Sequence, residues 1–392
     1  MSTPSLLPFR LPPPRDAAVD VLIVAGEHSG DQHAATMVGT ARARRPGLRV
    51  AALGGTELEQ AGAQLLHDLT ASSVVGLVEV LKNYSFFKAL FDETVRWIET
   101  HRPAVVCLVD YPGFNLRLAR ALHDRGLSTR AGGPIRVVYY ISPQIWAWKA
   151  GRRFSMARWL DRLAVIFPFE VDCYADTTLP VSFVGHPFVA PGHQPPVRFD
   201  PDGPILLLPG SRKQAVARIF PVLLAGHAAH GGREAIVLYP SEAIAAVLRA
   251  AQPPSGVRLV PTGEPVAAAA VLTSSGTMSM HCALAGIPGA IAYRANPLTY
   301  LLGRLLVKVP YLGIANLLLK EPMYPEYLQG AATPAALARE LRDCLENPDR
   351  LRRTQDQAAR LRAGLSQPAG QDAAAWLLSC RPEPTPAGQA AP

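Results

Sequence analysis

Cysteine is scarce in this chain of 392 residues: five are spread over positions 107, 173, 282, 344 and 380, with no CxxC pair. An odd count at wide spacing argues against a disulfide framework and a zinc ribbon, and fits a reducing compartment. Long hydrophobic runs are missing too. No uninterrupted apolar stretch approaches the roughly 18 residues of a transmembrane helix. The opening MSTPSLLPFRLPPPRD is too proline-rich and too weakly apolar for a signal peptide, so the chain reads as cytosolic, with surface association left open. No GxxxxGK[ST] phosphate loop occurs. Charged residues make up only 18% against 49% hydrophobic, which allows a large core and excludes global disorder. Acids are the minority charge, 31 against 39 basic residues, so the net charge of +8 favours an anionic partner without choosing among nucleic acid, phosphorylated substrate and membrane.

What is present is an alternation of short apolar runs and amphipathic stretches. Strands are expected at 19–25, 48–53, 104–109, 135–141, 162–166 and 181–184, with helices at 33–45, 86–101 and 115–124. The Pro- and Gly-rich stretch 189–204 reads as a linker. Beyond it strands are expected at 205–208, 235–239, 257–260, 270–273 and 290–293, and helices at 216–230, 242–251 and 278–285. A charged helical region follows at 334–364, broken near Asn347-Pro348, and then a last amphipathic helix at 372–378. Near-continuous apolar strands alternating with helices mean parallel sheets covered on both faces. The expected division is a leader at 1–18, a first α/β domain at 19–188, the linker, a second α/β domain at 205–345, C-terminal helices at 346–380 and a tail at 381–392, with a ligand cleft between the two sheets' strand C-terminal edges.

Several loops at strand ends carry candidate chemistry. Gly26-Glu27-His28-Ser29-Gly30-Asp31 could cradle an anion, could use His28, Asp31 and His33 on a metal, or could simply be a capped turn; a turn leaves Glu27 unexplained. It reads GxxSG, not the GxSxG of a nucleophile elbow. Asp110, directly after a strand, suits a general base or a turn before Tyr111-Pro112-Gly113. Gly210-Ser211-Arg212 and Ser275-Gly276-Thr277 each precede a helix, and two such loops in one domain suit a diphosphate better than two unrelated caps. The aromatic stretch 139–149, followed by Arg152 and Arg153, could stack bases, wall an amphiphile pocket or belong to the core.

Taken in order, AGEHSGD (25–31), SSVVGLVEVL (72–81), DYPGFN (110–115), YYISPQIWAWK (139–149), FPFE (167–170), FVGHP (183–187), LLPGSR (207–212), SSGT (274–277), AYR (292–294) and NLL (316–318) resemble the lipid-A-disaccharide synthase family of inverting GT-B glycosyltransferases. The resemblance runs from residue 21 to about 330. It implies two Rossmann-like domains facing a cleft, and transfer of 2,3-diacylglucosamine from its UDP derivative to 2,3-diacylglucosamine 1-phosphate (lipid X). The β-1,6-linked disaccharide 1-phosphate and UDP would be the products, a step of lipid A biosynthesis. It implies no cofactor and no metal, no nucleic-acid partner, a place at the cytoplasmic face of the inner membrane, C-terminal helices at 346–380 that cross back to the first domain, and a possible domain-swapped homodimer.

Carried over position by position, Asp110 is the expected base, with Glu27 as second choice. Gly210, Ser211, Arg212, Ser275, Gly276, Thr277, His281 and Asn316 would hold the UDP-sugar. Ser29, Gly30, Asp31, Asn115, Ser142 and Trp146 would line the acceptor side. The apolar residues Val74 to Val78 with Phe86, Phe87, Leu90 and Phe91, around Lys82 and Lys88, suit a bilayer interface or an amphipathic helix on the core. Three positions depart from the family pattern: His281 and Ala215 stand where it usually has glutamates, and Ala315 where it has proline. Both glutamate losses are on the donor side, which keeps open a paralogue using another sugar nucleotide, a non-catalytic lipid-binding GT-B protein, and, on charge alone, a nucleic-acid binder. A UDP-N-acetylglucosamine 2-epimerase is disfavoured by DYPGFN and ISPQIWAWK.

Overall fold

The computed structural model describes residues 9–73, 84–296, 300, 309–366, 368 and 370–381. Its strands, in chain order, are β1 (Val21–Ala25), β2 (Val50–Gly54), β3 (Gln64–Asp68), β4 (Val105–Val109), β5 (Arg136–Tyr140), β6 (Arg162–Val165) and β7 (Val181–Phe183). They continue with β8 (Val197–Phe199), β9 (Ile205–Leu208), β10 (Ala235–Tyr239), β11 (Val257–Pro261), β12 (Val266–Ala268), β13 (Ala270–Thr273), β14 (Gly289–Tyr293) and β15 (Glu326–Leu328). Every residue of β1, β2, β4, β9 and β13 is buried, which only a sheet covered on both faces permits.

The chain divides into two compact units. One reaches to Pro187 and resumes after Ser366; the other is Phe188–Ser366. The first holds a sheet in the order β3-β2-β1-β4-β5-β6-β7, the second a sheet in the order β11-β10-β9-β13-β14-β15, and β8 pairs with β12 apart from both. Each large sheet is parallel, with helices packed over its strands. In each, the order reverses once, between β1 and β4 and between β9 and β13. Loops leaving the two strands at such a point diverge, and the crevice between them is where open α/β sheets take ligands. The helices that follow are His28–Arg44 after β1, Pro112–Asp124 after β4, Lys213–His230 after β9 and Thr277–Leu284 after β13.

Some sequence expectations need adjusting. The first helix starts at His28, five residues before the expected position, so half of AGEHSGD is its first turn. β3 went unseen because QLLHD is a half-buried edge strand, and β15 because it is three residues long after Pro325. The linker region carries β8, held by pairing of Val197, Arg198 and Phe199 with Val266, Ala267 and Ala268. The C-terminal helices part company. Pro348–Leu365 belongs to the second unit, where buried Arg350 binds Glu340 and the carbonyls of Met323 and Gly289. Only the segment with helix Ala373–Ser379 joins the first unit, through Arg44 to Asp372 and Arg381 to Asp20.

The interfacial stretch 74–78, and most of the motif at 72–81, lie outside the described residues. Of its helical continuation, Tyr84–His101, Leu90, Val95, Trp97 and Ile98 are in the core of the first unit and Phe86 is exposed. Among the described residues no helix is long and apolar enough to cross a membrane.

Candidate active site

In the first unit, Ala25 at the end of β1 and Val109 at the end of β4 are register partners at the reversal point. Gly26-Glu27 and Asp110-Tyr111 come next, so the two candidate carboxylates leave adjacent strands. Asp110 and Tyr111 are both left-handed, at φ 44° and 49°. Non-glycine residues avoid that region, and such strain persists only where surrounding bonds over-determine it. Here they do. The Asp110 carbonyl accepts from Tyr139 Oη at 2.5 Å and from Asn115 Nδ2 at 2.7 Å, while the Asp110 N–H donates to the Tyr140 carbonyl at 3.0 Å. Tyr111 folds its ring over Gly26, where a Cβ would fall 2.1 Å from Tyr111 Cδ1, so only glycine fits.

The Asp110 carboxyl is pushed up to about 6, first by burial, then by the charge of Glu27, against the opposing pull of the Tyr111 N–H. A carboxylate in that range suits proton abstraction at neutral pH. Glu27 is exposed at the N-cap position of its helix and makes no cap hydrogen bond, so its carboxylate is free to face a ligand.

The remaining acceptor-side residues separate into two kinds. Ser29 is exposed on the first helical turn. Gly30 packs beside Val109 with room for a methyl group, its added Cβ meeting nothing nearer than 3.8 Å. Asp31 is buried, and its carboxylate accepts from the N–H groups of Gly55 at 2.7 Å and Glu57 at 3.1 Å; it anchors the loop after β2 and does not line an acceptor surface. Asn115 is fully buried too: its Nδ2 donates to the carbonyls of Val24, Val109 and Asp110, clipping β1 to β4. Ser142 hydrogen-bonds Tyr174 Oη at 2.7 Å beneath the surface.

Trp146 leads to a residue the sequence reasoning quoted but gave no role. Its Nε1 donates to Glu170 Oε1 at 3.2 Å, and the Phe167 N–H donates to Glu170 Oε2 at 3.2 Å. Burial pushes the Glu170 carboxyl up to about 8, with the charge of Asp110 adding to the rise. A carboxyl neutral at pH 7 beside the candidate base is a property of the folded neighbourhood; the only signal in the sequence was its place in FPFE.

In the second unit, β9 and β13 flank the other reversal point, and the Ser274 N–H donates to the Leu208 carbonyl at 2.8 Å. Gly210 takes φ 104° within 3.1 Å of Ser274 Oγ, measured from an added Cβ, so the two candidate loops touch. Gly276 stands at φ 155°. Helices Lys213–His230 and Thr277–Leu284 start from these loops with no side-chain cap on their first amides. Arg212 is exposed and has no carboxylate partner among the described residues. Adjacent helix starts with uncapped N–H groups and a fork-shaped cation are groups that can receive an anion.

Two donor-side expectations change. Asn316 is fully buried, and its hydrogen-bonding capacity is used inside the unit: Nδ2 donates to the Tyr324 carbonyl and Glu326, and Oδ1 accepts from the Met323 and Tyr324 N–H groups. Glu326 also accepts from the Leu312 and Gly313 N–H groups, and Ser275 Oγ donates to the Leu312 carbonyl at 3.3 Å. Asn316 therefore shapes the loop behind Ser275. His281 is buried in a ring stack, 3.8 Å from Phe188 and 5.4 Å from His193 between centroids.

Two units, each a parallel sheet with candidate loops at its reversal point, are the architecture of the GT-B class of glycosyltransferases. The solved glycotransferase of kitacinnamycin matches with a TM-score of 0.59 at 16% identity, covering 93% of this chain and 100% of that one. A putative UDP-N-acetylglucosamine 2-epimerase from Listeria monocytogenes matches at 0.56 and 12%, covering 92% and 94%; at such identities the likeness concerns the fold alone. The model of the lipid-A-disaccharide synthetase family matches residues 21–230 and 263–378. The lipid-A-disaccharide synthase of Syntrophus aciditrophicus is 38% identical over 91% of this chain and 96% of its own length, and that of Geobacter metallireducens 36% over 88% and 92%. The chain belongs to the lipid-A-disaccharide synthetase family and is a glycosyltransferase.

Proposed function

We propose that this protein transfers 2,3-diacylglucosamine from its UDP derivative to the 6-hydroxyl of 2,3-diacylglucosamine 1-phosphate, with inversion, at the cytoplasmic face of a membrane. The observation that carries the reading is Asp110, strained, largely buried and raised to about 6 at the reversal point of its sheet. Asp110 takes the acceptor proton as the hydroxyl attacks the anomeric carbon. Arg212 and the open amides after Gly210 and Gly276 receive the charge that develops on departing UDP. Tyr139 and Asn115 hold the Asp110 backbone, while Glu27 raises the basicity of its carboxylate. In a test with purified donor and acceptor, UDP release is expected from the wild type and to fall by about a hundredfold or more in Asp110→Ala. Release at the wild-type rate from the variant would remove Asp110 from the role of base.

A second reading, transfer from a different sugar nucleotide, is favoured by His281, a buried histidine stacked on Phe188 where the family pattern usually has a glutamate. Competition between UDP-sugars of different 2-substituents separates the two.

A further inference from the structure

Three large hydrophobic side chains are exposed among the described residues, Phe86, Trp148 and Phe154, and the last two lie six positions apart in the first unit. The turn after Trp146 reverses at Lys149, φ 55°, into helix Arg152–Trp159. Met156 and Leu160 of this segment are in the core, and Tyr174 Oη donates to Met156 Sδ, so the helix is fixed from beneath. Phe154 and Arg158, one helical turn apart, are therefore held outward with Trp148 and Lys149. Cations lie over the aromatic faces: Lys149 Nζ is 4.5 Å and Arg152 Cζ 5.2 Å from the Trp148 centroid, and Arg153 Cζ is 4.3 Å from that of Phe154. Arg153 is paired with Asp176, but Lys149, Arg152 and Arg158 have no carboxylate partner among the described residues.

We infer that this turn and helix start form a membrane-contact surface for anionic phospholipid headgroups, with Trp148 and Phe154 entering the interface and Lys149, Arg152 and Arg158 meeting the phosphates. An indole with a wet edge, beside flexible cations, is the chemistry of an interfacial anchor. Base stacking needs open ring faces, and here cations already cover a face of each ring, which favours a lipid surface over single-stranded nucleic acid. The surface is distinct from the 74–91 stretch and from the residues assigned to transfer, and it rests on the proposed function only in expecting a lipid substrate.

The test is sedimentation of the full chain with phosphatidylcholine vesicles, with and without phosphatidylglycerol. Wild type is expected to bind the anionic vesicles and to be released by salt. Trp148→Ser/Phe154→Ser and Lys149→Glu/Arg152→Glu are each expected to weaken binding by about tenfold or more with unchanged thermal midpoints. Turnover of detergent-dispersed donor and acceptor is expected to stay at the wild-type level in both. Variants that sediment like wild type, a wild type that ignores anionic vesicles, or a parallel loss of detergent turnover would each overturn the assignment. So would binding of poly(U), lost in the same variants, without vesicle binding. A wild type that binds vesicles through these residues yet transfers no sugar would overturn the transfer reading and leave this surface standing.

Discussion

At the scale of single residues, Asp110 and Glu170 are carboxyls whose protonation the fold controls. Asp110 titrates near 6 when folded and in the ordinary carboxylate range when unfolded. Because the folded value is the higher one, its contribution to stability is complete below the unfolded range and is lost as pH rises through about 6. Asp110→Asn should therefore raise stability at pH 8 by about 2 kcal/mol while abolishing most turnover, which paired thermal melts and UDP-release assays will check. Glu27→Gln removes the like charge facing Asp110, so the acid limb of the rate profile should move to lower pH. Glu170 loses its contribution as pH rises through about 8. Glu170→Gln should flatten the fall in stability above that pH, whereas Glu170→Ala, which leaves Trp146 Nε1 and the Phe167 N–H without an acceptor, should cost about 1–3 kcal/mol in urea titrations. Asp110 could be singled out in the sequence because it directly follows an apolar strand. Its basicity could not, since it arises from burial and from a neighbour 83 positions away in the chain.

At the scale of elements, the strands buried on both faces were visible as unbroken apolar runs, and the loops after β1, β4, β9 and β13 as Gly-, Ser- and Asp-rich breaks. Side-chain purpose was not visible. An asparagine or aspartate that contacts a ligand looks the same in sequence as one that staples a loop, and Asp31, Asn115 and Asn316 turned out to staple loops. Asn316→Ala should therefore act through the loop at 312–313 behind Ser275, raising KM for the donor more than it lowers kcat and reducing stability by about 1–3 kcal/mol. Gly26→Ala drives a methyl group into the Tyr111 ring and should destabilise by about 1–3 kcal/mol, with partial relief when Tyr111→Ala is added; a double-mutant cycle in denaturant will measure the coupling.

At the scale of the whole molecule, two cores and two large sheets follow from the repeated strand–helix rhythm, while the units part at Pro187 and the Pro- and Gly-rich stretch 189–204, with β8, falls inside the second unit. The return of the C-terminus was only partly readable, because the partners of Asp372 and Arg381 are Arg44 and Asp20, more than 300 positions away. Truncation after Ser366 should lower the unfolding midpoint of the first unit and leave that of the second unchanged, as domain-resolved hydrogen exchange will report. The most direct test of the central claim is mass spectrometry of the product formed by the full chain from UDP-2,3-diacylglucosamine and 2,3-diacylglucosamine 1-phosphate. The account predicts a tetra-acylated disaccharide carrying one phosphate, formed by wild type and nearly absent with Asp110→Asn. UDP accompanied only by free diacylglucosamine, or disaccharide formed equally by both proteins, would contradict it.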